Sequence, residues 1–134
     1  MEVMVMLNSA FWAGRRVMIT GHSGFKGSWL SLWLLRLGSD VWGYSLEPEG
    51  DRSLFNDLAL TQEPGKLHHR LGDLCDQQGL QEVVLQAQPE VVLHLAAQPL
   101  VRRSYQDPLG TWATNVQGSL HLLEALKSLK HPCS

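Results

Sequence analysis

The chain has 134 residues, 44% hydrophobic and 18% charged, a composition that suits one globular domain and leaves no room for a complete two-domain enzyme. Eleven Lys and Arg against thirteen Asp and Glu give a net charge of −2, so no basic excess exists to hold a nucleic-acid backbone or an anionic membrane. The two cysteines, Cys75 and Cys133, lack Cys-x-x-Cys spacing and are too few for a disulfide framework.

Residues 1–10 carry Glu2 and no basic residue. They read as a disordered leader and a poor signal peptide, so a cytoplasmic protein is expected. Residues 16–20 form a short β-rich run that ends in glycines. From 25 to 37, Trp29, Trp33 and Leu37, with Leu30 and Leu34, recur at helical spacing, and Gly38 stops the helix. The apolar run at 29–35 ends at Arg36, far short of a membrane span. Residues 41–44 read as a second strand and 66–71 as a weaker third, with a loop and short helix between them. Asp76 caps a helix towards Ala87 whose inner face is Leu80, Val83, Val84 and Ala87. Residues 91–95 are apolar on both faces, as a central parallel strand should be. Asp107-Pro108 is an N-cap with Pro at N1, opening a helix to about residue 130 with Val116, Leu120, Leu123 and Leu126/Lys127 at helical spacing. Strands alternating with helices predict a doubly wound α/β fold with helices on both faces of a parallel sheet. Trp12, Trp29, Trp33, Trp42 and Trp112 are expected to be packing anchors.

Between the first strand and first helix lies Thr20-Gly21-His22-Ser23-Gly24-Phe25-Lys26-Gly27. In a dinucleotide site one glycine makes the tight turn, the next admits the pyrophosphate and the third packs helix on strand. The alternative is an ordinary βα turn that needs positive φ. A phosphate-binding P-loop is excluded, because Lys26 precedes Gly27-Ser28 where that motif needs Gly-Lys-Ser. Asp73 ends the third strand at the ligand-binding carboxyl edge, or is a plain turn aspartate. Arg102, Arg103 and Tyr105 form a cationic-aromatic group suited to a nucleotide diphosphate, or a solvated helix face. The ring of His22 is expected to project to solvent, His68-His69 to be an exposed pair without a third metal ligand, and His94 to be a satisfied core histidine. Cys75, with no cationic neighbour in sequence, reads as inert.

With its Gly-x-x-Gly-x-x-Gly spacing and later motifs, the sequence resembles the extended short-chain dehydrogenase/reductase superfamily of sugar-nucleotide enzymes. The matches are Gly72-Asp73-Leu74, His94-Leu95-Ala96-Ala97 and Thr114-Asn115-Val116-x-Gly118. Within it, the run from Gly21 to Leu34 and that from Ala96 to Tyr105 are similar to the CDP-glucose 4,6-dehydratase family. The resemblance spans about residues 11–127 and implies a partial Rossmann fold with strand order 3-2-1-4, stopping before a fifth strand. Residues 11–130 would be the first part of a dinucleotide-binding domain, 131–134 a tail, and the substrate domain absent. The resemblance implies NAD, bound by Gly21, His22, Ser23, Gly24, Phe25, Gly27, Ser45, Asp73, Leu74, Leu95, Ala96, Ala97 and Asn115. It places Gln98, Arg102, Arg103 and Tyr105 beside a CDP-glucose substrate. At the end of strand two, Ser45 stands where NAD-type folds usually carry an acid; Asp40 precedes the strand and Glu47 lies just beyond it, so NADP is left open.

Relatives of this kind use a Tyr-x-x-x-Lys pair as base. Tyr44 is followed four residues on by Pro48 and Tyr105 by Leu109, and Thr111 and Thr114 fall in a helix, so no residue is assigned to catalysis. Two readings stand: the cofactor-binding first part of a dehydratase, or a stand-alone, non-catalytic nucleotide-binding module. An uncovered edge at strand four and the helix near 111–130, which contributes to dimers in relatives, predict a homodimer.

Overall fold

The structure is a computed structural model that describes residues 9–48, 50 and 52–134. In chain order the elements are α1 (Ser9–Trp12), β1 (Arg16–Thr20), α2 (Phe25–Arg36), β2 (Asp40–Ser45), α3 (Leu54–Asp57), a 3₁₀ turn (Leu60–Gln62) and β3 (Lys66–Leu71). They continue with α4 (Gln77–Ala87), β4 (Val91–His94), α5 (Val101–Gln106), α6 (Pro108–Trp112), a π-helical turn (Ala113–Gln117) and α7 (Gly118–Leu126). The four strands pair in parallel in the order β3-β2-β1-β4, as expected. The disordered leader expected at 1–10 lies outside the described residues over its first eight positions, and Ser9 and Ala10 belong to α1.

Successive residues of a strand face opposite sides of its sheet, and β1 is buried on both. Val17 and Ile19 pack with Leu32, Leu34 and Leu35 of α2 and with Leu60. Met18 points the other way, into Leu80, Val83 and Val84 of α4 and Leu122 and Ala125 of α7. The inner face of α4 is therefore Leu80, Val83, Val84 and Ala87, as its spacing predicts. Its cap is Asp76, whose carboxylate accepts from Gly79 N–H at 3.0 Å. Asp107 caps α6 in the same way through Gly110 N–H at 2.9 Å, with Pro108 at the first helical position.

Two helix faces differ from expectation. In α2 the buried stripe is Gly27, Ser28, Ser31, Leu32, Leu34 and Leu35, while Trp29 and Trp33 stay 50% and 52% exposed. The small residues set the face, because the helix must start hard against the glycine turn and only they allow it. Trp112 is exposed too, so of the five tryptophans only Trp12 and Trp42 pack against the core clusters. In α7 the buried residues are Gly118, Leu122 and Ala125, and Leu120 and Leu123 are 58% and 60% exposed. The π-helical turn upstream spends more residues per turn than an α-helix, so a face extrapolated at 3.6 residues per turn from Val116 slips out of phase.

The other edge of β4 is almost bare. Ser134 N–H donates to Glu90 O at 3.0 Å and Ser134 O accepts from Val92 N–H at 2.7 Å, the alternation of a parallel neighbour. The tail at 131–134 thus folds back along β4. Asp40, expected ahead of the second strand, is its first residue and is paired with Lys66. Among the described residues no helix is long and apolar enough to cross a membrane.

Candidate functional site

The sheet order reverses beside β1, and the crevice above the carboxyl ends of β1 and β4 is where open α/β sheets bind ligands. Gly21 leaves β1 with φ of +75° and donates its N–H to Tyr44 O at 2.8 Å. A Cβ on Gly21 would lie 2.8 Å from Ala96 N, so only glycine lets this turn touch the chain leaving β4. A Cβ on Gly27 would run into the Gly21 carbonyl oxygen and lie 2.7 Å from His22 Cα, which explains the third glycine as a helix-packing position. Gly24 is different: its Cβ direction meets nothing closer than Gly21 O at 3.3 Å. It is the N-cap of α2, without a side-chain cap or an acid in the first turn. Helix N-termini carry unpaired N–H donors and partial positive charge, and here the cap position adds no side chain in front of them. Phe25 opens this turn and is exposed.

His22 does not project to solvent. It is 0% exposed, its ring lying under Gly43 of β2, where any Cβ would strike it, and edge-on to Phe55 at 5.2 Å. Its Nε2 is 2.6 Å from Nδ1 of His69. Burial, and then the charge of His69, push the His22 pKa down to about 4 against a smaller opposing effect of the Tyr44 carbonyl, and burial lowers His69 as well. Both rings are thus neutral at pH 7, and a single proton bridges Nε2 and Nδ1, while His22 Nδ1 is buried without a hydrogen-bond partner. The expected exposed pair is likewise engaged at its other member: His68 stacks on Trp42 with centroids 4.0 Å apart and bonds Asp40 at 2.8 Å. Neither makes a metal site, and among the described residues no group of three His, Cys, Asp or Glu side chains is placed to hold one.

Ser23 and Ser45 share a hydrogen bond of 2.7 Å that ties the glycine turn to the end of β2. Beyond them a cleft of about 400 Å³ opens between Glu47, Pro48, Phe55, Asn56, His69 and Leu71. At the end of β3, the Asp73 carboxylate accepts from Cys75 N–H at 2.8 Å, closing a turn, and Asp73 O accepts from the Tyr44 hydroxyl at 2.9 Å. The side chain of Leu74 is buried against Gly118, so what it presents at the edge is backbone. The Cys75 thiol, though exposed, is pushed up by partial burial and by Asp73, which favours its protonated form.

After β4, Leu95 donates its N–H to Thr20 O at 3.0 Å, and Ala96 N–H reaches Thr20 Oγ1 at 3.3 Å. Ala97 follows on the exposed side. Asn115, within the π-helical turn, grips the Gln98 backbone at both ends: its Oδ1 accepts from Gln98 N–H at 2.7 Å and its Nδ2 donates to Gln98 O at 3.1 Å. The Gln98 amide is itself occupied by Leu100 and Thr111. Arg102 and Arg103 of α5 line a second, open cleft of about 690 Å³ with Leu100, Val101, Gln106 and Asp107; Tyr105 is exposed on the same short helix. His94 sits at the exposed end of β4 rather than in the core, with both ring nitrogens bonded, to Thr20 and to Ser119.

The sequence reading missed Thr20, Phe55, His69 and Ser119 as contributors. One signal was there for His22: an isolated glycine inside a strand, Gly43, marks a close approach from outside the sheet.

Known proteins share this arrangement. A CDP-glucose 4,6-dehydratase from Salmonella typhimurium is 46% identical over 124 residues, 92% of this chain and 34% of its own length. A GDP-mannose 4,6-dehydratase from Vibrio cholerae is 36% identical over 121 residues, 84% of this chain and 31% of the relative. Among solved structures, the NAD complex of a Thermus thermophilus UDP-glucose 4-epimerase superposes with a TM-score of 0.69 at 31% identity, covering 85% of this chain and 34% of that one. The chain therefore spans about a third of the length of the relatives it matches. The family model described as GDP-mannose 4,6 dehydratase matches residues 18–133, from β1 through the segment that returns along β4. With that match over nearly the whole described fold, the chain belongs to the GDP-mannose 4,6-dehydratase family.

Proposed function

We propose that the chain is the cofactor-binding N-terminal part, residues 11–130, of a cytoplasmic NAD-dependent sugar-nucleotide 4,6-dehydratase acting on CDP-glucose. One observation carries the reading: the uncapped start of α2 faces the sheet's reversal point behind a glycine turn that touches the Ala96 backbone. The fit to a dinucleotide rests on Gly24, the N-cap position of α2, where the absence of a side chain leaves the helix N-terminus approachable. Gly21, His22, Ser23, Phe25 and Gly27 would shape the pyrophosphate seat. Ser45, Asp73 and Leu74 would flank the adenosine half, and Leu95, Ala96, Ala97 and Asn115 would hold the chain along the nicotinamide half. NAD, when bound, supplies a hydride acceptor and donor for oxidising and then reducing the sugar. The residues here bind and orient it.

Gln98, Arg102, Arg103 and Tyr105 would border the substrate, the two arginines offering charge to its diphosphate. Neither tyrosine of the chain is followed by a lysine four residues on, so the chain alone lacks the pair that would remove the sugar's proton. The name of the Salmonella relative supports the choice of CDP-glucose, and the NAD complex of the Thermus thermophilus UDP-glucose 4-epimerase supports NAD. A homodimer through residues 111–130 fits the exposed Trp112, Leu120 and Leu123. Calorimetric titration with NAD, beside a product assay on CDP-glucose, tests the proposal. Binding without turnover is expected; absence of NAD binding, or product from the isolated chain, would overturn it.

A further inference from the structure

Where β1, β4 and the last helical segment meet, five groups form a hydrogen-bond chain whose direction the valences dictate. Thr20 Oγ1 and His94 Nδ1 are 2.6 Å apart, and His94 Nε2 and Ser119 Oγ 2.9 Å apart. Ser119 Oγ is also 2.7 Å from Asn115 O, a carbonyl that can only accept, so the Ser119 hydroxyl proton is used there. Ser119 can then only accept from His94, which puts a proton on Nε2. At the other end Thr20 Oγ1 accepts from Ala96 N–H, and Thr20 is fully buried. Its hydroxyl proton needs an acceptor, and the lone pair of His94 Nδ1 is the partner within reach. A proton on Nδ1 would leave that hydroxyl without an acceptor in a buried place.

We propose that His94 is a positioning residue, held as the neutral Nε2–H tautomer, that locks the turn after β4 against the glycine turn. This rests on the reading of the crevice as the dinucleotide site. The chain runs from Ala96 N–H through Thr20 and His94 to Ser119 and the Asn115 carbonyl, and the Asn115 side chain takes over at both ends of Gln98. One imidazole thereby couples β1, β4 and the π-helical turn. The turn it steadies is the one that Gly21 approaches closely enough to exclude a Cβ. Burial lowers the His94 pKa, in keeping with a neutral ring. A histidine kept merely to fill space would have no tautomer to choose.

The test is nitrogen-15 NMR of the imidazoles in the whole 134-residue chain at pH 7. A neutral Nε2–H ring for His94 is expected; an Nδ1–H ring or an imidazolium overturns the proposal. Ser119→Ala, a change on a partly exposed helix position, leaves Thr20 holding the Nε2–H tautomer and should move the His94 Nε2 shift, because that N–H loses its acceptor. It should also speed amide exchange at Ala96 and Gln98 about fivefold, the worth of one ordinary hydrogen bond. Unchanged shifts and exchange overturn the proposal. NAD affinity should fall by a similar factor in the variant, and unchanged affinity would deny His94 a positioning role. If the unsubstituted chain binds no NAD, the dinucleotide reading falls, while tautomer and exchange still decide the role of His94 in locking the turn.

Discussion

The glycine turn makes opposite demands at two positions three residues apart, and substituting each by alanine separates them. At Gly27 the new methyl would be driven into the Gly21 carbonyl, 2.8 Å from its carbon and 2.7 Å from His22 Cα. All of these are backbone atoms, with no flexible side chain to give way. Overpacking of this kind costs about 3 kcal/mol or more, against about 1 kcal/mol gained from alanine's better helix propensity. The net loss is about 2 kcal/mol, or roughly 8 °C in Tm for a domain of this size. At Gly24 the backbone sits at φ −71° and ψ 173°, open to any residue, and the nearest atom is 3.3 Å away. Gly24→Ala should therefore cost at most about 1 kcal/mol, the usual range for a poorer N-cap. Its methyl would instead stand in front of the α2 N–H groups and weaken NAD at least about tenfold, roughly 1.4 kcal/mol. Thermal unfolding followed by circular dichroism, with urea midpoints as a second measure and NAD titration on both variants, provides the comparison. A Gly27→Ala chain as stable as the original would refute the packing argument. Unimpaired NAD binding by Gly24→Ala would refute the pyrophosphate seat.

Acid should destabilise the fold through His22. Its folded pKa of about 4 lies below the ordinary 6.5, so the unfolded chain takes up a proton the folded chain refuses. That stability is complete above about pH 6.5 and falls away towards pH 4, by about 3 kcal/mol. Urea midpoints across that range should show the loss, and a His22→Gln chain with an equally steep slope would contradict it. Glu47 lines the cleft beyond Ser45 and offers a carboxylate there, so Glu47→Gln should raise NADP affinity relative to NAD about fivefold; an unchanged ratio in parallel titrations would remove Glu47 from cofactor choice. Leu120 and Leu123 lie exposed on α7, and light scattering should show dimers that a Leu120→Lys, Leu123→Lys chain does not form. A concentration-independent monomer before substitution would rule out that surface.

Much of the architecture is legible in the sequence because it depends on local signals. The Asp76 and Asp107 caps, the inner face of α4 and the position of the glycine turn between strand and helix need only a few adjacent residues. The strand order came from the family resemblance instead, since no strand states its own neighbours. Hydrophobicity alone does not indicate the buried face of α2. Trp29 and Trp33 are the more apolar residues, yet Gly27, Ser28 and Ser31 go inside. A helix that must begin in contact with the preceding turn is oriented by its smallest residues, and Gly27 alone would have pointed to them.

The side-chain contacts of the candidate site were the least legible part, because its partners are distant in sequence. His22 meets His69 across 47 positions, and Thr20 meets His94 across 74. Each pair forms only once β1, β2, β3 and β4 lie in register, with Thr20 opposite both Tyr44 and His94. Registry thus converts hydroxyls and imidazoles that are unremarkable in the chain into two ordered polar clusters at one edge of the sheet. The π-helical turn adds a non-local effect of its own. By rotating α7 out of phase, it buries Gly118 against Leu74 and leaves Leu120 and Leu123 outside. It also places Asn115 where both ends of its amide reach the Gln98 backbone. The exposed leucines and the Gln98 grip thus lie on one segment, on either side of the change in helical geometry.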